Sequence, residues 1–410
     1  MSSLLGILSR TQPFTHTPLA ATKDQIRLVS ADWKPLASSS TIRLKISTYP
    51  RNACPEYDAL SYVWGAEIPH HDILLNGKNF RIRENLYAFL KNALSTDRGG
   101  AIVDVRHDRS PYRPKYLWID QLCIDQTSTP EKSQQVQRMA ETYAHAKTVI
   151  AWLGAGTPSS NSAMEFMFRT VEFAMRRLRP TESYETRWDK YLVHNEHAFR
   201  NVRDLFNRPY WCRVWTVQEF LLPQPEQLIV ACGERFMQWE DIFRLYNVSG
   251  WTWTTDDVAR REKLYGAAMP LLKERSEGLW LDCDGRTITG EYRRKQSHHQ
   301  MCVYIKSFAN QKCFLPHDHI YGLLALCGLD NEVKVDYDKS PSAVYWDFMG
   351  ILLRHNTNVG AYIHAGLAMT MGLTGRELET RDPRVQDMFK KLFNTEKSIE
   401  DVFTGKCHVW

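Results

Sequence analysis

The chain has 410 residues, a length that suits two to three domains at about 150 residues each, with 43% hydrophobic and 24% charged residues. That is ordinary globular usage, and it excludes collagen-like, coiled-coil and wholly disordered chains. Lys and Arg total 52 against 47 Asp and Glu, a net charge of +5 that is weak support for a nucleic-acid or membrane partner.

No apolar run reaches the roughly 18 residues that a membrane span needs. The nine Cys are scattered and mostly lie in apolar runs, which suits buried thiols in a reducing, cytoplasmic setting better than a disulfide framework. The first acid is Asp24, and Pro13 and Pro18 interrupt the stretch before it, so residues 1–21 read as a disordered tail.

Residues 26–48 read as two strands, IRLVS and TIRLKIST, followed by the apolar run YDALSYV that stops at Trp64-Gly65. DILLNGKNFRI carries a hairpin signal at Asn76-Gly77. Helical spacing follows at Leu86, Phe89, Leu90 and Ala93, and residues 97–114 read as an exposed loop. YLWI is a short buried strand ending at Asp120. Thr129 with Pro130 starts a helix whose stripe is Val136, Met139, Ala140 and Tyr143. TVIAWL is the next buried strand. Apolar rather than alternating strands, separated by helices, predict a parallel sheet covered on both faces.

Beyond Gly156 helices are expected over 161–179, 197–206 and Tyr210–Leu222, with a loop at 180–195 and a possible strand from Leu228 to Ala231. Helical segments are expected near 238–247, 256–275 and 341–354, and Arg286–His299 reads as a solvated loop. The division is a first domain over 22–233 and a mostly helical C-terminal region over 234–410. The chain stops in GKCHVW without a tapering polar tail, which suggests part of a longer product.

In open α/β sheets ligands sit beyond the carboxyl ends of the strands. Trp64-Gly65, Asp120 and Gly154 are three such ends. Asp120 either faces that crevice or caps the following turn. On a continuous helix Tyr210–Leu222, Glu219 falls beside Trp215, so its carboxylate either has a raised pKa or is paired, with Arg208 or Arg213. GAG after TVIAWL lacks the third glycine of a dinucleotide loop. Cys302, Cys313, His317 and His319 match no common zinc spacing, so no metal is expected. Cys123 sits in an apolar run and reads as core.

Three blocks, YDALSYVWG at 57–65, YLWIDQLCIDQ at 116–126 and RPYWCRVWTVQE at 208–219, together resemble the fungal heterokaryon incompatibility (HET) domain. Asp125 stands where that family usually has Asn. The resemblance implies a cytoplasmic fungal protein that triggers cell death when incompatible strains fuse. It also implies a core similar to the Toll/interleukin-1 receptor (TIR) domain, hence a flavodoxin-like parallel sheet with helical insertions. Enzymatic TIR domains cleave NAD with a Glu in a W-x-x-x-E segment, and Trp215 to Glu219 has that spacing. The implied site is Glu219 and Asp120 as catalytic acids, with Trp64, Gly65 and Trp215 against the NAD substrate. The alternative is a non-enzymatic module that signals by self-association or through a protein partner.

Overall fold

The computed structural model describes residues 12–20, 24–31, 41–94, 102–105, 111–176, 195–248, 261–277, 297–354 and 361–373. The chain divides into two units. One comprises residues 1–131, 141–211 and 223–272, and the other 132–140, 212–222 and 273–410. The expected boundary at 233 is therefore corrected. Two segments of the first domain, 132–140 and 212–222, join the C-terminal unit, and residues 234–272 stay with the first.

The first unit holds a mixed sheet of β1 (Gln25–Ala31), β2 (Arg43–Pro50), β3 (Asp58–Tyr62), β4 (His70–Leu75), β5 (Lys78–Arg83), β6 (Ile102–Asp104), β7 (Pro111–Tyr112), β8 (Tyr116–Trp118), β9 (Thr148–Trp152), β10 (Leu228–Cys232) and β11 (Arg235–Gln238). Their spatial order is β5-β4-β2-β1-β8-β3-β9-β10-β11-β6-β7. The middle run β8-β3-β9-β10 is parallel. Its strands are short and apolar; β3 and β10 are buried at every position, as strands covered on both faces must be.

The flanks depart from the all-parallel expectation. β1 runs antiparallel to β2 and to β8, and β10 to β11. β2 alternates between buried and exposed over its first four residues, the pattern of a strand with one wet face. Asn76 (φ 51°) and Gly77 (φ 76°) both adopt positive φ in the two-residue turn between β4 and β5. Within the expected 97–114 loop, β6 pairs with β11 and β7 with β6, so that expectation is corrected at those residues. Residues 95–101 and 106–110 lie outside the described residues.

The tail expectation is corrected over residues 12–20, which pack on this unit. Pro13 bridges Asn79 beside β5, and His16 bonds the Leu122 carbonyl. Residues 1–11 and 21 lie outside the described residues. Helices α1 (Glu84–Ala93), α2 (Asp120–Cys123), α5 (Pro158–Arg176), α6 (Glu196–Phe206) and α8 (Trp239–Val248) belong to this unit. Helices α3 (Thr129–Gln137) and α4 (Met139–Ala144) run across the division. The 180–195 loop falls outside the described residues save Asn195. Trp118, Trp152, Trp211 and Trp239 are fully buried.

The continuous helix expected over Tyr210–Leu222 is corrected. A 3-10 turn, Pro209–Cys212, precedes α7, Trp215–Leu221. Between them the backbone is diverted: Lys312 N–H donates to the Cys212 carbonyl at 2.5 Å and Val214 N–H to the Lys312 carbonyl at 2.9 Å. Trp211 and Trp215 are both buried, but in different units rather than on one helix face.

The described elements of the second unit are helical. They include α7, most of α9 (Met269–Glu277), α10 (Ser297–Ser307), α11 (Asp318–Tyr321), α12 (Pro341–Arg354) and α13 (Ala361–Thr370). The segment 330–337 grips α3 there. Gln137 donates to the Asp330 and Val333 carbonyls and accepts from Val335 N–H, and Ser133 accepts from Tyr337 N–H. Of the expected Arg286–His299 loop, 286–296 lie outside the described residues and Ser297 opens α10. No described helix is long and apolar enough to cross a membrane.

Candidate functional site

Parallel pairing brings the carboxyl ends of β8, β3, β9 and β10 to one edge of the sheet in the first unit. In chain order these strands are second, first, third and fourth. The connections therefore leave in opposite directions between β3 and β9, the switch point at whose crevice open α/β sheets bind ligands. Asn85, one residue into α1, spans it. Its Nδ2 donates to the Val63 carbonyl at 2.6 Å, and its Oδ1 accepts from Trp152 Nε1 at 3.0 Å.

Gly154 has φ 107°, and a Cβ there would lie 3.5 Å from both Arg208 Nη1 and Asn85 Oδ1. Arg208 Nη1 donates to the Leu153 and Ala155 carbonyls at 3.1 and 2.9 Å. Tyr210 and Ser61 share a buried hydroxyl pair at 2.9 Å. The start of the third block and the end of the first are thus joined.

The first and second blocks meet at Trp64 and Asp120. The indole Nε1 of Trp64 donates to Asp120 Oδ2 at 2.7 Å, and Gln121 N–H to Oδ1 at 2.7 Å. Asp120 is buried at the start of α2, so its carboxylate fastens the β8 turn to the β3 turn. Arg83 lies over the Trp64 ring, 5.3 Å from its centroid, and donates to the Gly65 carbonyl at 2.7 Å. Gly65 itself is exposed, with φ 77°. Two guanidinium groups, Arg83 and Arg208, therefore stand at the ends of β3 and β9. Arg83 Nη2 also lies 3.5 Å from Glu67 Oε1.

The turn after Asp120 is braced from below. Arg27 makes a bidentate pair with Glu131, at 2.5 and 2.9 Å, and donates to the Cys123 carbonyl. Burial acts to raise the Glu131 carboxyl, but Arg27 and the Asp125 N–H outweigh it and hold it below the usual carboxylate range. Burial pushes the Cys123 thiol up to about 12, which leaves it an inert core residue. The GAG segment has a packing role: a Cβ on Gly233 would lie 2.4 Å from Gly156 Cα.

Glu219 and Trp215 lie in the second unit. Glu219 is fully buried, and Arg213 Nη1 reaches both its oxygens at 3.3 Å. Of the two partners weighed for this acid, Arg213 is the one seen. Trp215 hydrogen-bonds a second buried acid, Asp318, which also accepts from the Tyr337 hydroxyl at 2.8 Å. Burial raises the Asp318 carboxyl against these bonds. Two carboxylates and one arginine so form a polar knot around α7. Among the described residues no group of three or more His, Cys, Asp or Glu side chains is arranged to hold a metal.

Residues 57–219 match the family model described as heterokaryon incompatibility protein (HET). This segment is similar to the HET domain. Its three blocks supply the Trp64–Asp120 corner, the Ser61–Tyr210 pair, and the Arg213–Glu219 pair. Over 337 residues the chain is 26% identical to heterokaryon incompatibility protein 6, OR allele, of Neurospora crassa. That similarity covers 72% of this chain and 46% of the relative, so the chain spans about half of that protein's length. No solved structure matches the chain.

Sequence reasoning named Trp64, Gly65, Asp120, Trp215 and Glu219 but missed Arg83, Asn85 and Asp318. Arg83 and Asn85 straddle the start of α1 in a polar run with no motif. Asp318 had a signal: it is an acid set in the apolar-flanked segment HDHIYGLL, as Glu219 is in VWTVQEFLL.

Proposed function

We propose that this chain acts in heterokaryon incompatibility, with its HET domain setting off cell death in the cytoplasm of a fungal cell when incompatible strains fuse. The match of residues 57–219 to the HET family carries this reading, and the Neurospora relative supports it. The domain acts as a signalling module by self-association. The state of Glu219 favours this over catalysis there, because a carboxylate with no exposed surface and an arginine on both oxygens cannot reach a sugar ring as it stands. The test is expression at high level in a fungal host. Growth arrest that persists in a well-folded Glu219→Gln variant fits the signalling reading. Normal growth with the unaltered chain contradicts it.

A second reading is TIR-like NAD cleavage. The order second-first-third-fourth of the parallel strands supports a flavodoxin-like, TIR-like core, whose ligands sit at this crevice. Arg83 and Arg208 suit the two phosphates of NAD, and Trp64 and Gly65 a base. Asp120 supplies a carboxylate at that edge. A carboxylate beside the ribose stabilises the oxocarbenium-like state formed as nicotinamide leaves. Incubation of the purified chain with NAD, followed for nicotinamide release, decides this. Release abolished by Asp120→Asn supports the reading, and no release from the unaltered chain removes it.

A further inference from the structure

The segment 12–20 is seated in a groove that would accept the same segment from another chain. Gln12 and Phe14 flank a single parallel β-bridge between Pro13 and Asn79 at the edge of β5. Asn79 N–H donates to the Gln12 carbonyl at 2.9 Å, and Phe14 N–H to the Asn79 carbonyl at 2.8 Å. The Phe14 ring meets Phe80 edge-on at 5.8 Å, and His16 stands against both rings. His16 Nε2 donates to the Leu122 carbonyl at 2.8 Å, with Nδ1 3.9 Å from Asp125. Arg27 Nη2 donates to the Thr17 carbonyl at 2.7 Å, and Leu19 N–H reaches Glu131.

The groove meets this segment through the Asn79 and Leu122 backbone, the Phe80 ring and the Arg27, Asp125 and Glu131 side chains, while Pro13, Thr15, Thr17 and Pro18 are exposed. The segment precedes β1 and pairs only with the outer edge of β5, so it can leave its seat without unpacking the strands of the sheet. When it leaves, Asn79 presents an unpaired sheet edge beside Phe80, which is a template for another strand.

We propose that this groove is a self-association surface, filled in a dimer by residues 12–20 of a second copy of the chain. The occupant is fixed by what is already seated there. An exchanged segment remakes every bond of the closed form, so the exchange changes the connection and not the contacts. The proposal rests on the self-association reading for its biological role and names where that association occurs. It also ties assembly to the HET motif, because the segment bonds Leu122 and lies beside Asp125 in the turn that starts at Asp120, and reaches Glu131 in α3.

Phe14 and Phe80 stand opposite each other, which permits a cross-linking test on the full chain. Phe14→Cys and Phe80→Cys variants are mixed at high concentration, oxidised with copper phenanthroline and run on a non-reducing gel beside the unaltered chain. The mixture is expected to give a covalent dimer several-fold above either variant alone. The double variant forms an internal link and is expected to lose self-association in light scattering. That internal link is also the control that the groove has folded. An internal link without a dimer in the mixture overturns the proposal. If the locked double variant still self-associates, assembly uses another face and only the signalling reading stands. If the unaltered chain stays monomeric at every concentration, both fall.

Discussion

Two buried acids in one small knot make α7 the place where single residues matter most. Arg213 and Glu219 form a pair whose carboxylate has no access to water. Removing one partner breaks a buried ion pair, at a cost of about 3–5 kcal/mol. We therefore expect Glu219→Leu and Arg213→Met each to lower the urea midpoint strongly. The double replacement is expected to recover most of the loss, because it removes both charges together. Equal losses that simply add would show the two side chains to be independent.

Histidines set a second residue-scale behaviour. Burial depresses His319 and His364 from 6.5 to about 4. Well above pH 6.5 both states of the protein hold these rings neutral, so they leave stability unchanged. As pH falls from 6.5 toward 4 the unfolded chain takes up protons that the folded chain refuses. Stability is then lost, at up to about 1.4 kcal/mol per pH unit for each ring. Urea midpoints measured between pH 7 and 4.5 should fall, and His364→Leu should flatten the fall. An unchanged slope in that variant would place the titration elsewhere.

At the scale of elements, what could be read from sequence was what depends on neighbours in the chain. The Asn76-Gly77 hairpin, the apolar strands β3, β9 and β10 and the helix Pro341–Arg354 all carry their pattern within a dozen residues. The break between Pro209–Cys212 and Trp215–Leu221 does not. It exists because Lys312, about a hundred residues on, takes the backbone groups of Cys212 and Val214. β6 and β7 are too short to show a period, and pairing alone makes them strands. The candidate site divides the same way. Trp64, Gly65 and Asp120 announced themselves at strand ends, whereas Arg83, Asn85 and Arg208 reach the crevice only through the fold.

The two glycines that let the ends of β9 and β10 meet give an element-scale prediction. Gly233 has φ 57°, and an added Cβ would come within 2.4 Å of Gly156 Cα and 2.7 Å of its nitrogen. Backbone atoms cannot turn aside as a flexible side chain can. Gly233→Ala should therefore cost more than the ~1–2 kcal/mol of a left-handed residue alone. A thermal melt within a degree of the unaltered protein would show that the turn relaxes freely.

At the scale of the whole molecule, the segment matched to the HET family is not self-sufficient. Its family match ends at residue 219, yet the segments 132–140 and 212–222 inside or beside it belong to the unit built from the C-terminal residues. In that unit α7 has Lys312 on its entry backbone, Asp318 on Trp215, and Arg275 donating to the Phe220 carbonyl at 2.5 Å. Helix α3 has Gln137 and Ser133 bonded to 330–337, with Lys132 over the Tyr337 ring at 4.3 Å. A fragment of residues 1–272 keeps the strands of the sheet but removes every one of these partners. It leaves Glu219 and Trp215 on a segment of seven helical residues, too short to hold helix on its own in water. We expect limited proteolysis to cut this fragment within 212–222 at protease levels that leave the full chain intact there. Adding back residues 273–410 as a separate chain should restore protection. A fragment as resistant as the full chain at 212–222 would mean that the third HET block carries its own fold, and that the C-terminal unit only borrows it.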